Sequence, residues 1–117
     1  MDIGVHTSQS VDYPMIAFEL CEKVLNSRNA MGVLICGTGI GMSIAANKVS
    51  GIRAAACSDS YSASMSRKHN DSNVLCFGSR VVGSEVAIDM VDKWLSSKYE
   101  SGRHSRRVGM IDNKNQL

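Results

Sequence analysis

The sequence predicts an α/β fold in which helices cover both faces of one parallel sheet. Short apolar runs alternate along the chain with segments of helical periodicity, which is typical of consecutive βα units. The apolar runs are continuous rather than alternating, as expected of strands that are buried on both faces. With 117 residues the chain can form one hydrophobic core, and it shows no linker and no internal repeat. We therefore expect a single three-layer domain over residues 1–117.

The elements can be assigned in order from this pattern. A weak strand is expected at 2–6, where apolar and polar residues alternate. Pro14 suits the first turn of a helix, because its fixed backbone and missing N–H are tolerated there. The apolar face of that helix is formed by Ile16, Ala17, Leu20, Cys21 and Val24. Three firmer strands are expected at 32–36, 51–57 and 73–79, with helices at about 42–49, 61–68 and 84–95 and a last one beyond Gly102.

Composition and charge exclude several classes of protein. The formal net charge of +2 is too small to indicate a nucleic-acid partner. No apolar run approaches the roughly 20 residues of a membrane span, and the first ten residues lack the features of a secretion signal. The four cysteines show neither CxxC pairs nor zinc-ligand spacing, so we expect reduced thiols and no metal site. These observations predict a cytoplasmic protein without a membrane partner.

A glycine-rich loop joins the strand at 32–36 to the next helix. Gly37, Gly39 and Gly41 occupy alternate positions, and free amides at a helix start can bind an anion. The loop lacks the lysine of a P-loop, and Met42 replaces the third glycine of the dinucleotide fingerprint. A nucleotide site with Asp59 as the ribose-binding acid remains an alternative, and so does a plain tight turn.

Cys36 immediately precedes this loop, where helix-start amides can lower a thiol pKa. The thiol would then be a base or a nucleophile; the alternative is a structural cysteine that closes the strand. His69 and Asn70 end a helix at the opposite edge of the sheet, so one chain should not bring them to Cys36. They could equally be a dipole-stabilised histidine and a helix cap. The basic segment 103–107 could hold a phosphate or be a solvated face.

Five segments together closely resemble type B ribose-5-phosphate isomerases, in the sugar-phosphate isomerase family that includes the galactose-6-phosphate isomerase subunits. The segments are "DYP" (12–14), "CGTGIGMSIAANK" (36–48), "GIRAA" (51–55), "YSASMSRKHNDSNVLCFGSRVVG" (61–83) and "GRHSRRV" (102–108). The resemblance implies an aldose–ketose isomerase that interconverts D-ribose 5-phosphate and D-ribulose 5-phosphate in the pentose phosphate pathway, without metal or organic cofactor. Allose 6-phosphate or galactose 6-phosphate isomerisation and a non-catalytic sugar-phosphate or nucleotide-binding role remain alternatives.

The resemblance also implies residue roles. Cys36 matches the catalytic base, Thr38 assists it at the loop, and His69 matches the acid that opens the sugar ring. The implied substrate-binding residues are Tyr13, Gly37, Gly39, Ile40, Gly41, Asn70, Arg80, Arg103 and Arg107. In the resembled family two subunits share each site, which implies a homodimer or tetramer.

The resembled fold is a Rossmann-like, flavodoxin-like sheet with strand order 2-1-3-4-5. Members of that family begin with a strand and a helix ahead of the position that matches Met1, and this chain is expected to lack both. The absent strand would lie between the segments 2–6 and 32–36. We therefore expect a domain that is truncated at its N-terminus, with an unpaired strand edge beside residues 32–36.

Overall fold

A computed structural model, which describes residues 1–116, shows a three-stranded parallel sheet between two layers of helices, confirming the predicted α/β class. In chain order the elements are α1 (Tyr13–Asn26), β1 (Gly32–Cys36), α2 (Ile40–Ala46), β2 (Ala54–Ala56), α3 (Ser60–Asn70), β3 (Val74–Gly78), α4 (Ser84–Ser96), α5 (His104–Asp112) and a 3-10 turn at Lys114–Gln116. Pro14 lies in the first turn of α1, as predicted. None of the helices among residues 1–116 combines the length and the apolar character needed to cross a bilayer.

The strand order differs from the one that the resemblance implied. The order 2-1-3-4-5 would place the strand at 51–57 between the other two, but β3 lies between β1 and β2 and is parallel to both. All five residues of β3 are buried, as a central position requires, whereas β2 is three partly exposed alanines. The Asn47 side chain donates to the Ala54 carbonyl (2.9 Å) and accepts from the Ala54 amide (2.8 Å), so it covers this sheet edge.

Alternate residues of β3 define two halves of the core. Val74 and Cys76 pack with α1 and α2, and Leu75 and Phe77 pack with α3 and α4. Trp94 of α4 is fully buried in the second half, where its indole N–H donates to the Ser72 hydroxyl at 2.8 Å. Helices therefore cover both faces of the sheet, and the carboxyl ends of β1 and β3 remain accessible at one edge.

The weak strand expected at 2–6 does not form, since residues 1–12 contain no helix or strand. The Gly4 amide donates to the Asp2 carboxylate at 2.8 Å, so a local turn takes the amide that a ladder would need. No described strand pairs with the outer side of β1. A cavity of about 390 Å³ lies there, bounded by residues 1–5, α1 and β1.

Candidate active site

Cys36 is the last residue of β1, and its thiol faces the first turn of the following helix. The Cys36 carbonyl accepts a hydrogen bond from the Ser79 amide (2.8 Å), which fixes the end of β1 against the end of β3. The Cys36 Sγ accepts a hydrogen bond from the Gly39 amide at 3.1 Å. The sulfur is therefore held by the same loop that the sequence predicted as an anion site.

The environment of Cys36 favours its thiolate. Partial burial by itself raises the pKa of the thiol, but hydrogen bonds from the backbone amides of Met42, Gly39 and Thr38 and from the Thr38 hydroxyl outweigh it. The pKa of Cys36 consequently lies below that of an ordinary cysteine. A partly exposed thiolate next to helix-start amides can accept a proton from a bound substrate.

The other three cysteines have the opposite character. Burial raises the pKa of Cys21 and of Cys57, and burial with the nearby thiols raises the pKa of Cys76 to about 12. Cys21 and Cys76 are buried, Cys57 is half-buried, and all four cysteines are free. Cys36 is thus the cysteine whose surroundings stabilise the reactive form.

Alkylation with iodoacetamide at neutral pH is expected to modify Cys36 well before Cys57, because the thiolate is the reacting form. The rate at Cys36 should rise with pH through a midpoint below that of a free cysteine. In the Thr38→Val variant this midpoint should move to higher pH, since one stabilising hydrogen bond is lost. Mass spectrometry of partially labelled protein measures both effects. Equal labelling of Cys36 and Cys57 would contradict the assignment.

The loop after Cys36 packs so closely on β3 that glycine is required. Gly39 has φ +83°, and a Cβ there would lie 2.7 Å from the backbone of Phe77. A Cβ on Gly78 would lie 2.5 Å from the Thr38 Cα. These contacts hold the loop rigidly, so its amides are oriented before any ligand binds.

Tyr13 and Arg80 reach the same loop from different elements. A Cβ on Gly41 would lie 2.5 Å from the Tyr13 hydroxyl oxygen, so the phenol lies directly over this glycine. The Arg80 amide donates to the Gly37 carbonyl at 3.1 Å, and its guanidinium carbon lies 3.9 Å from where a Gly37 Cβ would be. The structure therefore brings a phenol and an exposed cation to the loop beside the thiol.

Thr38 and Ile40 contribute differently to the loop. The Thr38 Oγ1 accepts from the Ile40 amide at 3.2 Å, so the hydroxyl and the first helical amide are already paired. The Ile40 side chain is 57% exposed, and its amide is used by the Thr38 hydroxyl. Because the Gly39 amide points at the Cys36 sulfur, the loop stabilises the thiolate as well as any bound oxyanion.

His69 and Asn70 do not meet Cys36 within one chain, as the sequence predicted. They are the last two residues of α3, which runs from the carboxyl end of β2 back to the amino end of β3. Nine residues at 1.5 Å each place His69 about 14 Å away from the edge at which α3 begins. The C-cap residue of α3 is Asp71, so the alternative of Asn70 as the helix cap is wrong.

Arg103 and Arg107 lie near His69 and not near Cys36. They are one helical turn apart at the start of α5, and both are exposed. Both act electrostatically on His104, whose ring stacks on that of His69 with centroids 4.2 Å apart. The predicted residues therefore form two groups at opposite strand ends of the molecule.

Two further residues of the second group, His104 and Glu100, were not singled out from the sequence. His104 belongs to the basic segment 103–107, whose arginines were the predicted phosphate ligands. Glu100 lies in the connection between α4 and α5, and its amide donates to the Lys68 carbonyl at 2.9 Å. This contact ties the connection to the last turn of α3, and no sequence spacing indicated it.

The structure does not favour the alternative of a nucleotide site, because the acid expected to bind the ribose has another role. Asp59 caps α3, with its carboxylate accepting from the Ser62 amide (2.7 Å) and hydroxyl (2.9 Å). These hydrogen bonds hold the pKa of Asp59 below its usual value. A carboxylate that is occupied by a helix cap is poorly suited to bind a ribose hydroxyl.

Two other cavities among the described residues, of about 490 and 710 Å³, are larger than the one beside Cys36. The cavity of about 390 Å³ is bounded by Cys36, Tyr13 and Met42. A cavity of about 710 Å³ lies at the amino end of β2, with Arg53, Asn70 and Asp112 among its lining residues. Arg53 is already paired with Asp112 and Asp71 there, whereas the smaller cavity contains the Cys36 thiol with its lowered pKa.

A parallel α/β chain with a thiol of lowered pKa and helix-start amides at the carboxyl ends of its strands has the architecture of proteins that bind small anionic ligands at that edge. Residues 1–111 match the family model described as Ribose/Galactose Isomerase. The chain is 54% identical over 111 residues to ribose-5-phosphate isomerase B of Escherichia coli, covering 95% of this chain and 74% of the relative. It is 44% identical over 117 residues to ribose-5-P isomerase B of Listeria innocua, covering 97% and 79%.

Solved structures agree with these sequence relationships. Ribose-5-phosphate isomerase B of Clostridium thermocellum superposes with a TM-score of 0.95 at 51% identity, covering 99% of this chain and 78% of that one. The Thermotoga maritima enzyme superposes with a TM-score of 0.93 at 44% identity, covering 96% and 77%. The chain belongs to the ribose/galactose isomerase family.

Proposed function

We propose that this protein is an aldose–ketose isomerase that interconverts D-ribose 5-phosphate and D-ribulose 5-phosphate. The observation that carries the proposal is the Cys36 thiol, whose pKa lies below its ordinary value beside a preorganised loop of amides. Isomerisation needs a base that takes a proton from C2 and returns it to C1, with stabilisation of the negative oxygen formed between the two steps. Membership of the family and the ribose-5-phosphate isomerase relatives support this substrate.

In the proposed reaction the Cys36 thiolate removes the proton from C2 of the open-chain aldose. The C2–H electrons form the C1–C2 double bond, and the former carbonyl oxygen becomes negative. The Gly41 amide in the first turn of α2 has no acceptor within the helix, and with the Gly39 and Met42 amides that face the Cys36 sulfur it can stabilise this enediolate. One such donor contributes about 3 kcal/mol to the transition state. The Cys36 thiol then protonates C1, and the proton on O2 passes to O1, which gives the ketose.

The ring of the substrate must open before this step, and we assign that proton transfer to His69. Arg103 and Arg107 are placed to bind the phosphate of the same sugar, together with Asn70 on its hydroxyls. Because these residues lie at the opposite strand ends from Cys36, we infer that the site is completed by a second copy of the chain. The homodimer is thus part of the proposed mechanism. A cytoplasmic location is also proposed, supported by the four free thiols.

The reaction run in deuterium oxide tests the proton-transfer chemistry. Ribulose 5-phosphate formed from unlabelled ribose 5-phosphate should carry deuterium at C1, because a thiol proton exchanges with solvent during the enediolate stage. The position of the label is read by NMR of the product. Product without deuterium at C1 would show that no proton is exchanged with solvent during the transfer and would contradict the expected exchange at the Cys36 thiol.

A further inference from the structure

The end of α3 carries a cluster of three possible metal ligands outside the Cys36 loop. His69, Glu100 and His104 each offer one ligand atom, and all three atoms lie within 4.8 Å of one another. The two imidazole rings are stacked, with centroids 4.2 Å apart and planes 18° from parallel. We propose that His69, Glu100 and His104 bind a divalent transition-metal ion, with Zn²⁺ as the probe, and that the bound ion inhibits the isomerase.

Backbone hydrogen bonds bring the three residues together. The Glu100 amide donates to the carbonyl of Lys68 (2.9 Å), the neighbour of His69 at the end of α3. The His104 amide donates to the Ser101 carbonyl (2.8 Å), which turns the chain into α5. The ligands therefore come from three segments whose backbones are already fixed relative to one another, so binding requires side-chain rotation alone.

The required rotation is small. Ligand atoms of a tetrahedral zinc site lie about 3.3 Å apart, given Zn–N distances of about 2.0 to 2.1 Å. Glu100 is exposed and the two histidines are half-buried, so their side chains can change rotamer without disturbing the core. The stacked rings must turn so that one nitrogen of each points at the ion. A water molecule would fill the fourth position of the site.

The donor set selects the class of ion. Two imidazole nitrogens and one carboxylate suit Zn²⁺ and its neighbours, whereas Mg²⁺ and Ca²⁺ prefer sites built from oxygen. Arg103 and Arg107 lie close enough to act electrostatically on His104. The negative end of α3 and the Glu100 carboxylate favour the ion, while the two arginines weaken its binding.

Inhibition follows from the role assigned to His69, and this half of the proposal rests on the proposed function. A ring nitrogen that coordinates zinc cannot give or take the proton that opens the sugar ring. The ion would also neutralise Glu100 and place a fixed positive charge beside Arg103 and Arg107. The metal has no part in the isomerisation itself, so a chelator should restore activity fully.

Zinc binding is tested directly by calorimetry on the Cys36→Ser variant of the 117-residue chain, in which the reactive thiol cannot compete for the ion. One Zn²⁺ per chain is expected at micromolar concentrations. Adding His104→Ala should weaken binding about tenfold or more, and adding Glu100→Gln should weaken it with little risk to folding. The matched control is His6→Ala, because His6 is the one histidine of the sequence outside the cluster and lies in the exposed N-terminal segment. Circular dichroism shows whether each variant is folded.

Failure to bind Zn²⁺, or binding that survives both His104→Ala and Glu100→Gln, overturns the site. The inhibition is measured separately, as wild-type turnover with Zn²⁺ and then with excess EDTA, beside Glu100→Gln, which should need about tenfold more Zn²⁺ for the same loss. Activity that Zn²⁺ leaves unchanged while the ion is bound overturns the inhibition. A chain that binds Zn²⁺ through His104 but isomerises no sugar phosphate confirms the site and refutes the proposed function.

Discussion

Replacing Cys36 by alanine is expected to lower the turnover number for ribose 5-phosphate about 10³-fold, the middle of the range for loss of a positioned base. The side chain is half-buried at the end of a strand, so its removal leaves the fold and the amide loop in place. The Michaelis constant should change much less than the turnover number, because the thiol acts on the proton at C2 rather than on the phosphate. Steady-state kinetics on the purified variant measure both quantities.

The matched control is Cys57→Ala, which removes another half-buried thiol near the carboxyl ends of the strands. Burial and Asp59 raise the pKa of Cys57, so this thiol is poorly suited to act as a base, and its loss should leave turnover close to that of the wild type. Equal effects of the two substitutions, or an active Cys36→Ala variant, would show that the thiol of Cys36 is not the base.

Mixing two inactive variants is expected to restore activity. If Cys36 of one chain works with His69 of another, a dimer of Cys36→Ala and His69→Ala chains contains one site with both residues intact. In an equal mixture with random pairing, half of the dimers are mixed and half of their sites are intact, so about a quarter of the wild-type activity should return. The geometry behind this expectation is the placement of the two residues at opposite strand ends.

The mixture is prepared by co-expression of the two variants with different affinity tags, so that mixed dimers can be isolated and assayed. Each variant alone serves as the background. A matched mixture of Cys36→Ala with Thr38→Val should show no more activity than its Thr38→Val chains contribute alone, because both residues lie in the same loop and every site of a mixed dimer carries one of the two changes. Isolated mixed dimers of the first pair that remain inactive would contradict a site shared between two chains.

Most of the fold could be predicted because the spacing of apolar residues along the sequence indicates which side of each helix or strand is buried. The helices followed from their apolar faces, and the confirmed start of α1 followed from Pro14. The order of the strands could not be read in this way, because β2 and β3 are both apolar runs in the sequence. The two strands differ in their packing. β3 contributes Val74 and Leu75 to opposite halves of the core, whereas β2 lies at the edge of the sheet, where the Asn47 side chain hydrogen-bonds to its backbone.

The segment 2–6 shows the limit of alternation as a signal. Ile3 and Val5 have the period of a strand, but a strand needs a partner, and the Gly4 amide is taken by Asp2. In the candidate site, too, only the residues that are close in sequence could be predicted to lie together. Cys36 and the glycine loop are close in sequence, so local chemistry indicated them, and Gly39 has the positive φ that such a turn requires. The pairing of His69 with His104 depends on how α3 and α5 pack, and no local pattern encodes it.

The measurement that tests the central claim most directly is the formation of ribulose 5-phosphate from ribose 5-phosphate by this 117-residue chain, followed by NMR. Allose 6-phosphate, galactose 6-phosphate and NAD binding are measured in parallel. We predict rapid turnover of ribose 5-phosphate, slower or no turnover of the two hexose phosphates, and no stabilisation by NAD. A folded protein that converts none of the three sugars, or that prefers a hexose phosphate, would contradict the account.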